Sequence, residues 1–286
     1  MYRKKSKEVF ILKKIISVLL ARVMLISLSV PAIAAEEKLN FLSLGDSIAA
    51  GAGLLMPSRQ AYGAIVSNTN GYNFKNDAVS GHTTQDMLGR INEKRVANDI
   101  KNADIICISI GGNNFLHGDV PALLSEALKE KDFSRFDEIA ESYYEDLGAI
   151  MDYIKGLSPD AVILMQTLYN PMYIADELRE VYQEGADRIN GTVRRYLRDN
   201  EGVYTIVEVA EVFGDNEGLI TADYIHPNSK GHVVIAGEVL KTLKQLGLGE
   251  NTEPVYREFK LSTLFDEILY KIRTILHAIM ALLAKA

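Results

Sequence analysis

Short apolar runs alternate with longer amphipathic stretches between residue 39 and about residue 247. The apolar runs at residues 105–110 and 162–165 are nearly unbroken, which is typical of parallel strands that are covered on both faces. The pattern predicts strands at residues 40–44, 72–76, 104–110, 161–166 and 204–207. It predicts helices at residues 86–98, 133–156, 176–200 and 229–246.

This alternation indicates an α/β protein, a three-layer αβα sandwich around one mostly parallel sheet of about five strands. Active sites in such sheets gather at the carboxyl ends of the strands. Ser47 directly follows the first predicted strand, within Gly45-Asp46-Ser47-Ile48. A serine at this position can be a nucleophile, because the N–H groups at a helix start favour negative charge. The structural alternative is a helix N-cap.

The first 35 residues have the character of a secretory signal peptide. They carry seven basic residues against the single acid Glu8, contain the apolar run 23–30 and end in Pro31-Ala32-Ile33-Ala34-Ala35. A basic segment, a short apolar segment and a small-residue cleavage site together define such leaders. We expect export, with cleavage near Ala34. An uncleaved N-terminal anchor is the alternative, although the apolar run is short for a membrane span.

The charge and the cysteine count exclude several classes of protein. Removing residues 1–35 takes away seven basic residues and one acid, so the net charge changes from −7 to −13. A chain this acidic is poorly suited to binding nucleic acid. The sequence has neither a phosphate-binding glycine loop nor a Cys/His metal cluster, and we expect no cofactor and no metal. The sole cysteine, Cys107, lies in an apolar strand and is predicted to be an inert buried thiol.

Four short blocks carry the candidate chemistry. They are Gly45-Asp46-Ser47-Ile48, residues 76–84, Gly111-Gly112-Asn113-Asn114 and Asp223-Tyr224-Ile225-His226. Acyl transfer needs a nucleophile, a base that takes its proton, a group that orients the base, and donors to the oxyanion. Together the four blocks offer a candidate for each of these tasks.

Ser47 is the candidate nucleophile, His226 the base and Asp223, three residues earlier, the group that orients the imidazole. The backbone N–H groups of Ser47 and Gly81 and the side-chain amide of Asn113 are the candidate oxyanion donors. Gly81 suits this task because a missing side chain lets a substrate approach the amide closely. Each donor is worth roughly 3–4 kcal/mol of the barrier.

In this order the blocks resemble those of the SGNH hydrolases, also called the GDSL esterase/lipase family, over roughly residues 39–247. The resemblance implies a flavodoxin-like sandwich and a nucleophile at Ser47. It also implies oxyanion donors at Gly81 and Asn113, with Asp223 and His226 completing a triad.

The sequence departs from the family pattern at two positions. Ile48 stands where the family often has leucine, a swap of similar volume that affects packing more than chemistry. Asn114 stands where an aspartate is usual, which leaves Asn113 in place but changes how its loop is positioned. The G-x-S-x-G elbow of α/β-hydrolases is not matched, because position 49 is alanine.

Structural explanations compete at single positions. A lone histidine is more often a satisfied surface residue than a base, and His232 on the last helix is predicted to be one. Asp46 is predicted to be a structural hydrogen-bonding residue. The loops at residues 54–61 and 169–174 are expected to build the substrate pocket.

Residues 36–248 are interpreted as the hydrolase domain, residues 249–260 as a polar linker and residues 261–286 as an amphipathic helix. The apolar positions of that helix occupy an arc of about 160°. Such a face contacts a membrane interface, the chain's own domain or another copy. Lys271 and Arg273 argue against a spanning helix.

The sequence as a whole predicts an exported serine esterase that forms an acyl-enzyme. Acyl-lipid or lysophospholipid esters suit the amphipathic tail better than sugar acetates do. A carbohydrate or cell-wall O-acetylesterase is the alternative enzyme. A non-catalytic surface-binding module on the same fold is the alternative of another class.

Overall fold

The computed structural model describes residues 38–116, 119–172, 176–214 and 218–256. The predicted signal peptide at residues 1–35 and the predicted amphipathic helix at residues 261–286 lie outside the described residues.

Among the described residues, five strands form one sheet in the order β2-β1-β3-β4-β5, and every neighbouring pair is parallel. This is the flavodoxin-like order, so the predicted fold class is confirmed. The strands are β1 (Asn40–Gly45), β2 (Asn73–Asn76), β3 (Ile105–Ser109), β4 (Val162–Gln166) and β5 (Thr205–Val207).

Helices cover both faces of this sheet. They are α1 (Ser47–Ala50), α2 (Pro57–Gln60), α3 (Tyr62–Asn70), α4 (Thr84–Ile91), α5 (Lys94–Lys101), α6 (Val120–Ser125), α7 (Ser134–Leu157), α8 (Asp176–Asp199), α9 (Val209–Phe213) and α10 (Ser229–Gln245).

Two apolar layers form because alternate side chains of a strand point to opposite faces. Leu42 and Ile106 belong to the layer that also contains buried side chains of α4, α5, α7 and α8. Phe41 and Ile105 belong to the layer formed with α3, α9 and α10. Both faces of β1 and β3 are therefore buried, as the unbroken apolar runs predict.

The single helix predicted at residues 86–98 is wrong, since the structure has two helices, α4 and α5, in this region. Thr83 and Asp86 form a reciprocal capping box that begins α4. The helix ends where the Asn92 side chain donates to the Leu88 carbonyl at 2.7 Å and the Glu93 N–H donates to the Arg90 carbonyl at 3.1 Å. Apolar spacing continues across this break, and so the sequence pattern did not reveal it.

His232 is not the surface histidine that was predicted. It is fully buried, and its ring stacks on the Tyr62 ring with centroids 6.2 Å apart. Its Nδ1 atom accepts the backbone N–H of Tyr62 at 3.3 Å, which satisfies a donor in the first turn of α3. The closing helix thus turns this polar residue inward to hold the start of another helix.

Among the residues that the structure describes, none of the helices combines the length and the apolarity needed to cross a bilayer.

His232 makes stability depend on pH. Burial, with a smaller contribution from the charge of His226, lowers the pKa of His232 from 6.5 to about 3. Between pH 6.5 and about pH 3, this histidine is protonated in the unfolded chain but neutral in the folded chain. The free energy of unfolding therefore falls as the pH falls through this range. We expect this histidine to cost about 2–3 kcal/mol of unfolding free energy between pH 8 and pH 4.5.

Urea unfolding of the protein and of His232→Asn at a series of pH values checks this expectation. Asparagine keeps an acceptor for the Tyr62 N–H but does not titrate. The unfolding free energy of the variant should therefore fall about 2–3 kcal/mol less than that of the wild type between pH 8 and pH 4.5. Parallel curves for the two proteins would contradict the prediction.

Candidate active site

The close approach of β1 to β3 sets the position of Ser47. Gly45 has a φ of +116°, and a Cβ atom at this residue would lie 1.9 Å from the Ser109 carbonyl oxygen. The next backbone N–H, that of Asp46, donates to the same carbonyl at 2.9 Å. Only glycine permits this approach, which turns the chain into α1 directly at the end of the sheet.

Asp46, and not Ser47, is the N-cap of α1. Its Oδ1 atom accepts the Ile48 N–H at 3.0 Å and the Ser109 hydroxyl at 3.3 Å. Burial raises the pKa of Asp46 to about 7, although these hydrogen bonds act in the opposite direction. Asp46 is therefore the structural hydrogen-bonding residue that was predicted. The capping task is filled without Ser47, whose side chain lines a cavity.

The second block continues beside β1 after β2 has ended. The Val79 N–H donates to the Gly45 carbonyl at 3.0 Å, and the Asn76 side chain donates to the Ala49 carbonyl at 2.8 Å. Gly81 follows with a φ of +84°, and a Cβ atom there would have no neighbour within 4 Å. Its backbone is thus open to an approaching group.

The third block begins after β3 with a short 3₁₀ helix, Gly112–Leu116. Asn113 lines the same cavity as Ser47, and its Nδ2 atom donates to the His82 carbonyl at 2.9 Å. A side-chain amide has two N–H donors, so one fixes the plane of the group and the other stays free for a ligand.

Asn114 joins the second block to the third. Its Oδ1 atom accepts the Thr84 N–H at 3.2 Å, while its Nδ2 atom donates to the Thr84 hydroxyl oxygen at 2.8 Å. The Thr84 hydroxyl donates a hydrogen bond to the buried carboxylate of Asp146, which also accepts a hydrogen bond from the Gln85 side chain. An aspartate at position 114 lacks the donor that this chain of hydrogen bonds uses.

The fourth block holds a histidine against a carboxylate. The Nδ1 atom of His226 lies 2.7 Å from the Oδ2 atom of Asp223. The other carboxylate oxygen accepts the N–H groups of Ile225 and His226, each at 3.0 Å, and the Thr221 hydroxyl. Partial burial acts to raise the pKa of Asp223, but hydrogen bonds led by that of the His226 N–H hold this pKa well below its usual range.

Two residues outside the block hold its loop in place. The Asn228 side chain donates to the carbonyls of Gly218 and Ile220 and accepts the first N–H groups of α10. The Tyr169 hydroxyl, three residues after β4, donates to the Ile225 carbonyl at 2.7 Å. The loop is thus tied both to the last helix and to the segment that follows β4.

The structure brings these blocks to one end of the sheet. Ser47, Asn113 and Ile225 line one cavity. Gly53, in the loop after α1, faces the fourth block, with its Cβ position 3.4 Å from the Cβ atom of His226. No hydrogen bond joins the Ser47 hydroxyl to His226 among the described residues, a contact that often tightens only when substrate binds.

The cavity has a volume of about 1050 Å³, its open mouth included. Of the two loops expected to build it, one contributes Tyr169 and Pro171, whereas residues 54–61 contribute no lining residue. The expectation for residues 54–61 is therefore wrong, because the residues after α1 turn toward the fourth block. Apolar side chains from other elements line the cavity instead, among them Phe115, Leu123, Phe136, Leu168, Val181 and Val209.

The segment between the third block and α7 was missed by the sequence analysis. It contains α6 and a following π-helical turn, Glu126–Glu130, and it packs on α7 and α8 as a separate apolar cluster. Leu123, Leu124, Ala127 and Leu128 recur at helical spacing, which was the available signal.

Cys107 takes no part in the site. Its Sγ atom accepts the Gln166 side chain at 3.3 Å inside the sheet, and burial raises the pKa of this thiol to about 11. The predicted burial of this thiol is confirmed, and its raised pKa disfavours the reactive thiolate. Within the described part of the chain, no cluster of His, Cys, Asp and Glu side chains is suited to hold a metal ion.

Comparison with known proteins assigns a family to this arrangement. A profile of the GDSL-like Lipase/Acylhydrolase family matches residues 43–234. The uncharacterized protein YpmR of Bacillus subtilis is 26% identical over 74% of this chain and 84% of its own length. The spore germination lipase LipC of Bacillus licheniformis is also 26% identical, over 68% of this chain and 91% of its own. The crystal structure of the lipase Lip_vut3, from a goat rumen metagenome, shares the fold with a TM-score of 0.58. It is 23% identical and covers 74% of this chain and 99% of its own.

Replacing Asn114 with aspartate should destabilise the protein. Thr84 would face two carboxylates with a single hydroxyl hydrogen, which leaves one buried acceptor unpaired at a cost of about 1–3 kcal/mol. The double variant Asn114→Asp with Asp146→Asn restores a donor and should recover most of the loss. Thermal unfolding of the three proteins measures both effects.

The matched control combines Asn114→Asp with Asp152→Asn. The second change removes a charge from an exposed position of α7, the helix that also carries Asp146, and it should not recover the lost stability. Equal recovery by the two double variants would contradict a direct link between Asn114, Thr84 and Asp146.

Proposed function

The chain belongs to the GDSL-like lipase/acylhydrolase family, and we propose that it is an exported serine esterase acting on acyl-lipid or lysophospholipid esters. The observation that carries the proposal is the apolar cavity beside Ser47. The Asp223–His226 pair lies at the same end of the sheet.

In the proposed reaction the Ser47 hydroxyl oxygen attacks the ester carbonyl carbon while the Nε2 atom of His226 takes the hydroxyl proton. Asp223 holds Nδ1 and stabilises the imidazolium that forms. Its low pKa keeps it ionised at any pH where the reaction is of interest. The bond to the alcohol then breaks, and His226 returns the proton to the leaving oxygen. A water molecule then attacks the acyl-enzyme carbonyl while His226 takes its proton, and His226 returns that proton to the Ser47 oxygen as the acyl group leaves.

Three donors stabilise the oxyanion in this proposal. They are the N–H groups of Ser47 and Gly81 and the free hydrogen of the Asn113 amide. The Ser47 N–H has no acceptor within α1, because Ser47 is the first residue of that helix. The bond from Asn113 to the His82 carbonyl also supports the role of Gly81, because it ties the second block to the third.

The cavity lining favours an apolar acyl group. Its walls come from aliphatic and aromatic side chains, and Ser47 and Asn113 are among its few polar groups. Such a cavity stabilises an acyl chain by about 0.8 kcal/mol for each buried CH₂ group, whereas an acetyl group leaves it empty. The lipase name of the Bacillus licheniformis relative points to the same substrate class. Sugar acetates and the non-catalytic binding module remain the alternatives.

Export and membrane contact belong to the same proposal. The leader at residues 1–35 directs export with cleavage near Ala34, and the amphipathic residues 261–286 contact a lipid interface. N-terminal sequencing of the protein recovered from outside the cell tests the first part, and an intact Met1 there would contradict cleavage.

Replacing Ser47 with alanine should abolish hydrolysis without changing the fold. The variant loses the attacking oxygen, and we expect kcat to fall by a factor of about 10⁴ or more. The measurement uses aryl esters of increasing acyl length together with acetylated sugars, with circular dichroism as the check on folding.

Full activity of Ser47→Ala would contradict the nucleophile assignment. A wild-type protein that hydrolyses none of these esters would favour the binding module. Hydrolysis restricted to sugar acetates would favour the carbohydrate or cell-wall O-acetylesterase.

Filling the cavity should shorten the preferred acyl chain. Ala186 lines the cavity on α8, and Ala186→Phe places a ring in the space available to the substrate. If the ring displaces two CH₂ groups, about 1.6 kcal/mol is lost, so the ratio of kcat/KM on dodecanoyl to acetyl esters should fall about 15-fold.

Ala149→Phe is the control, since Ala149 is exposed on α7. This variant should keep the wild-type ratio of kcat/KM on dodecanoyl to acetyl esters. In each protein, activity on the acetyl ester shows whether the catalytic groups are intact. An unchanged ratio in Ala186→Phe would mean that the acyl chain binds elsewhere.

A further inference from the structure

Two residues that line the cavity are also joined to the loop that carries His226. Tyr169 and Ile225 are both part of the cavity wall. The Tyr169 hydroxyl donates to the Ile225 carbonyl at 2.7 Å, and His226 is the next residue along the chain. A ligand in the cavity therefore contacts residues that are connected directly to His226.

Asp223 and His226 form one unit within their loop. The Nδ1 atom of His226 lies 2.7 Å from the Asp223 carboxylate, and the His226 N–H donates to the same carboxylate at 3.0 Å. The His226 carbonyl accepts the Thr221 N–H at 2.8 Å. These bonds fix the imidazole relative to its own loop. They do not fix it relative to Ser47, which belongs to α1.

Tyr169 holds this loop from outside. Its ring stacks on that of Phe213 with centroids 4.2 Å apart, and this contact anchors Tyr169 to α9. Burial, together with the charges of Asp46 and Asp223, raises the pKa of Tyr169, so its hydroxyl keeps its proton and remains a donor. The bond to Ile225 therefore connects an anchored residue of the cavity wall to the loop.

The contact between the loop and the proposed nucleophile is incomplete. The His226 ring bonds to Asp223, but among the described residues no hydrogen bond joins it to the Ser47 hydroxyl. Ile225 is 37% exposed although it lines the cavity, so an acyl chain placed there covers apolar surface that belongs to the loop. A misplacement of about 1 Å costs a reaction a factor of about 100 in rate. A small shift of the loop is therefore enough to change the rate of proton transfer.

We propose that Tyr169 and Ile225 couple the filling of the cavity to the position of His226, so that a long acyl chain raises kcat and does not only strengthen binding. The inference rests on the proposed function, because it gives the acyl-binding cavity a second task in the same reaction. An acyl chain that packs on both residues holds the loop where proton transfer from Ser47 requires it. An acetyl group covers less of the cavity wall and gives the loop less support.

Tyr169 is a positioning residue in this scheme. Its hydroxyl acts through Ile225 and His226 and takes no proton from the substrate. Both chemical steps of the proposed reaction use His226, which accepts a proton from Ser47 during acylation and from water during deacylation. The acyl chain is present in both steps, first in the ester and then on Ser47. The value of kcat therefore reports on the coupling whichever step limits the rate.

The first test measures kcat and KM separately on aryl esters with acetyl, butyryl and octanoyl groups. For the wild-type protein we expect kcat to rise about tenfold from acetyl to octanoyl. Tyr169→Phe keeps the ring and its stacking on Phe213 but loses the hydroxyl. We expect the rise in kcat to shrink about fivefold, the loss typical of one hydrogen bond, while the dependence of KM on acyl length stays as in the wild type.

The matched control is Tyr204→Phe. Tyr204 likewise donates its hydroxyl to a backbone carbonyl, that of Val193, at 2.6 Å. It directly precedes β5, at the opposite end of the parallel sheet from Ser47. The two variants lose the same kind of bond, so Tyr204→Phe measures the effect of lost stability alone. It should keep the wild-type dependence of kcat on acyl length.

Ile225→Ala tests the other half of the coupling. The bonds that Ile225 makes to Asp223 and Tyr169 use its backbone N–H and carbonyl, so this variant keeps them. It removes apolar contact with the acyl chain, and we expect the rise in kcat from acetyl to octanoyl to shrink here too. A full wild-type rise in this variant would contradict the coupling.

A further test needs no hydrolysis. It uses 1-octanol as the cavity ligand and follows the imidazole signals of His226 by NMR in a Ser47→Ala background, with His226→Gln to assign them. We expect octanol to shift these signals, and the shift to be several-fold smaller when Tyr169→Phe is added. Both proteins are compared at saturation with octanol, so a difference reflects the coupling and not the affinity.

Four results would overturn the proposal. The first is a wild-type kcat that does not depend on acyl length. The second is an equal loss of kcat on all three esters in Tyr169→Phe, since the bond would then only support the fold. The third is the same change in length dependence in Tyr204→Phe, and the fourth is an octanol response that Tyr169→Phe leaves unchanged. If the wild-type protein hydrolyses no ester, the proposed function fails, and the octanol experiment alone decides the coupling.

Discussion

The contact of Gly45 with the Ser109 carbonyl is the constraint on which the site depends. It brings the ends of the two central strands closer than any side chain permits, so the chain must turn into α1 at that point. Asp46 then begins the helix and Ser47 enters the cavity wall as its first residue. The second block is held to the same strand end by the bond from the Val79 N–H to the Gly45 carbonyl. The proposed nucleophile and the proposed oxyanion donors at Ser47 and Gly81 are therefore positioned by a few backbone contacts at one corner of the sheet.

Sequence patterns predicted what depends on periodicity and on local chemistry. The five strands, the three long helices α7, α8 and α10 and the four polar blocks follow from apolar runs and turn residues, and the structure places the blocks at one end of the sheet. Other features were predicted wrongly or missed, some for local reasons and some because they depend on contacts distant in sequence. The break between α4 and α5 depends on side chains of its own turn that compete with the helix. The burial of His232 depends on a partner 170 residues earlier in the chain.

The cavity beside Ser47 shows most clearly why a sequence alone is insufficient. Its walls combine the segment between the third block and α7 with one face of α8, and these are brought together only by packing. Asn114 was expected to change how its loop is positioned, and the structure shows the compensation. Its amide reaches Thr84 and, through it, Asp146, two positions that local pattern could not connect.

One apolar layer of the sandwich joins the two ends of the domain. Phe41 and Tyr62 from its beginning pack with Ile235 and Leu243 of α10, and residues 248–256 then lie along α3. A chain that emerges N-terminus first, from a ribosome or through a translocation pore, cannot bury this layer until its last helix is free. This layer is therefore completed only after α10 has emerged, and any fragment that stops before α10 leaves the part of the layer that α10 covers exposed to solvent.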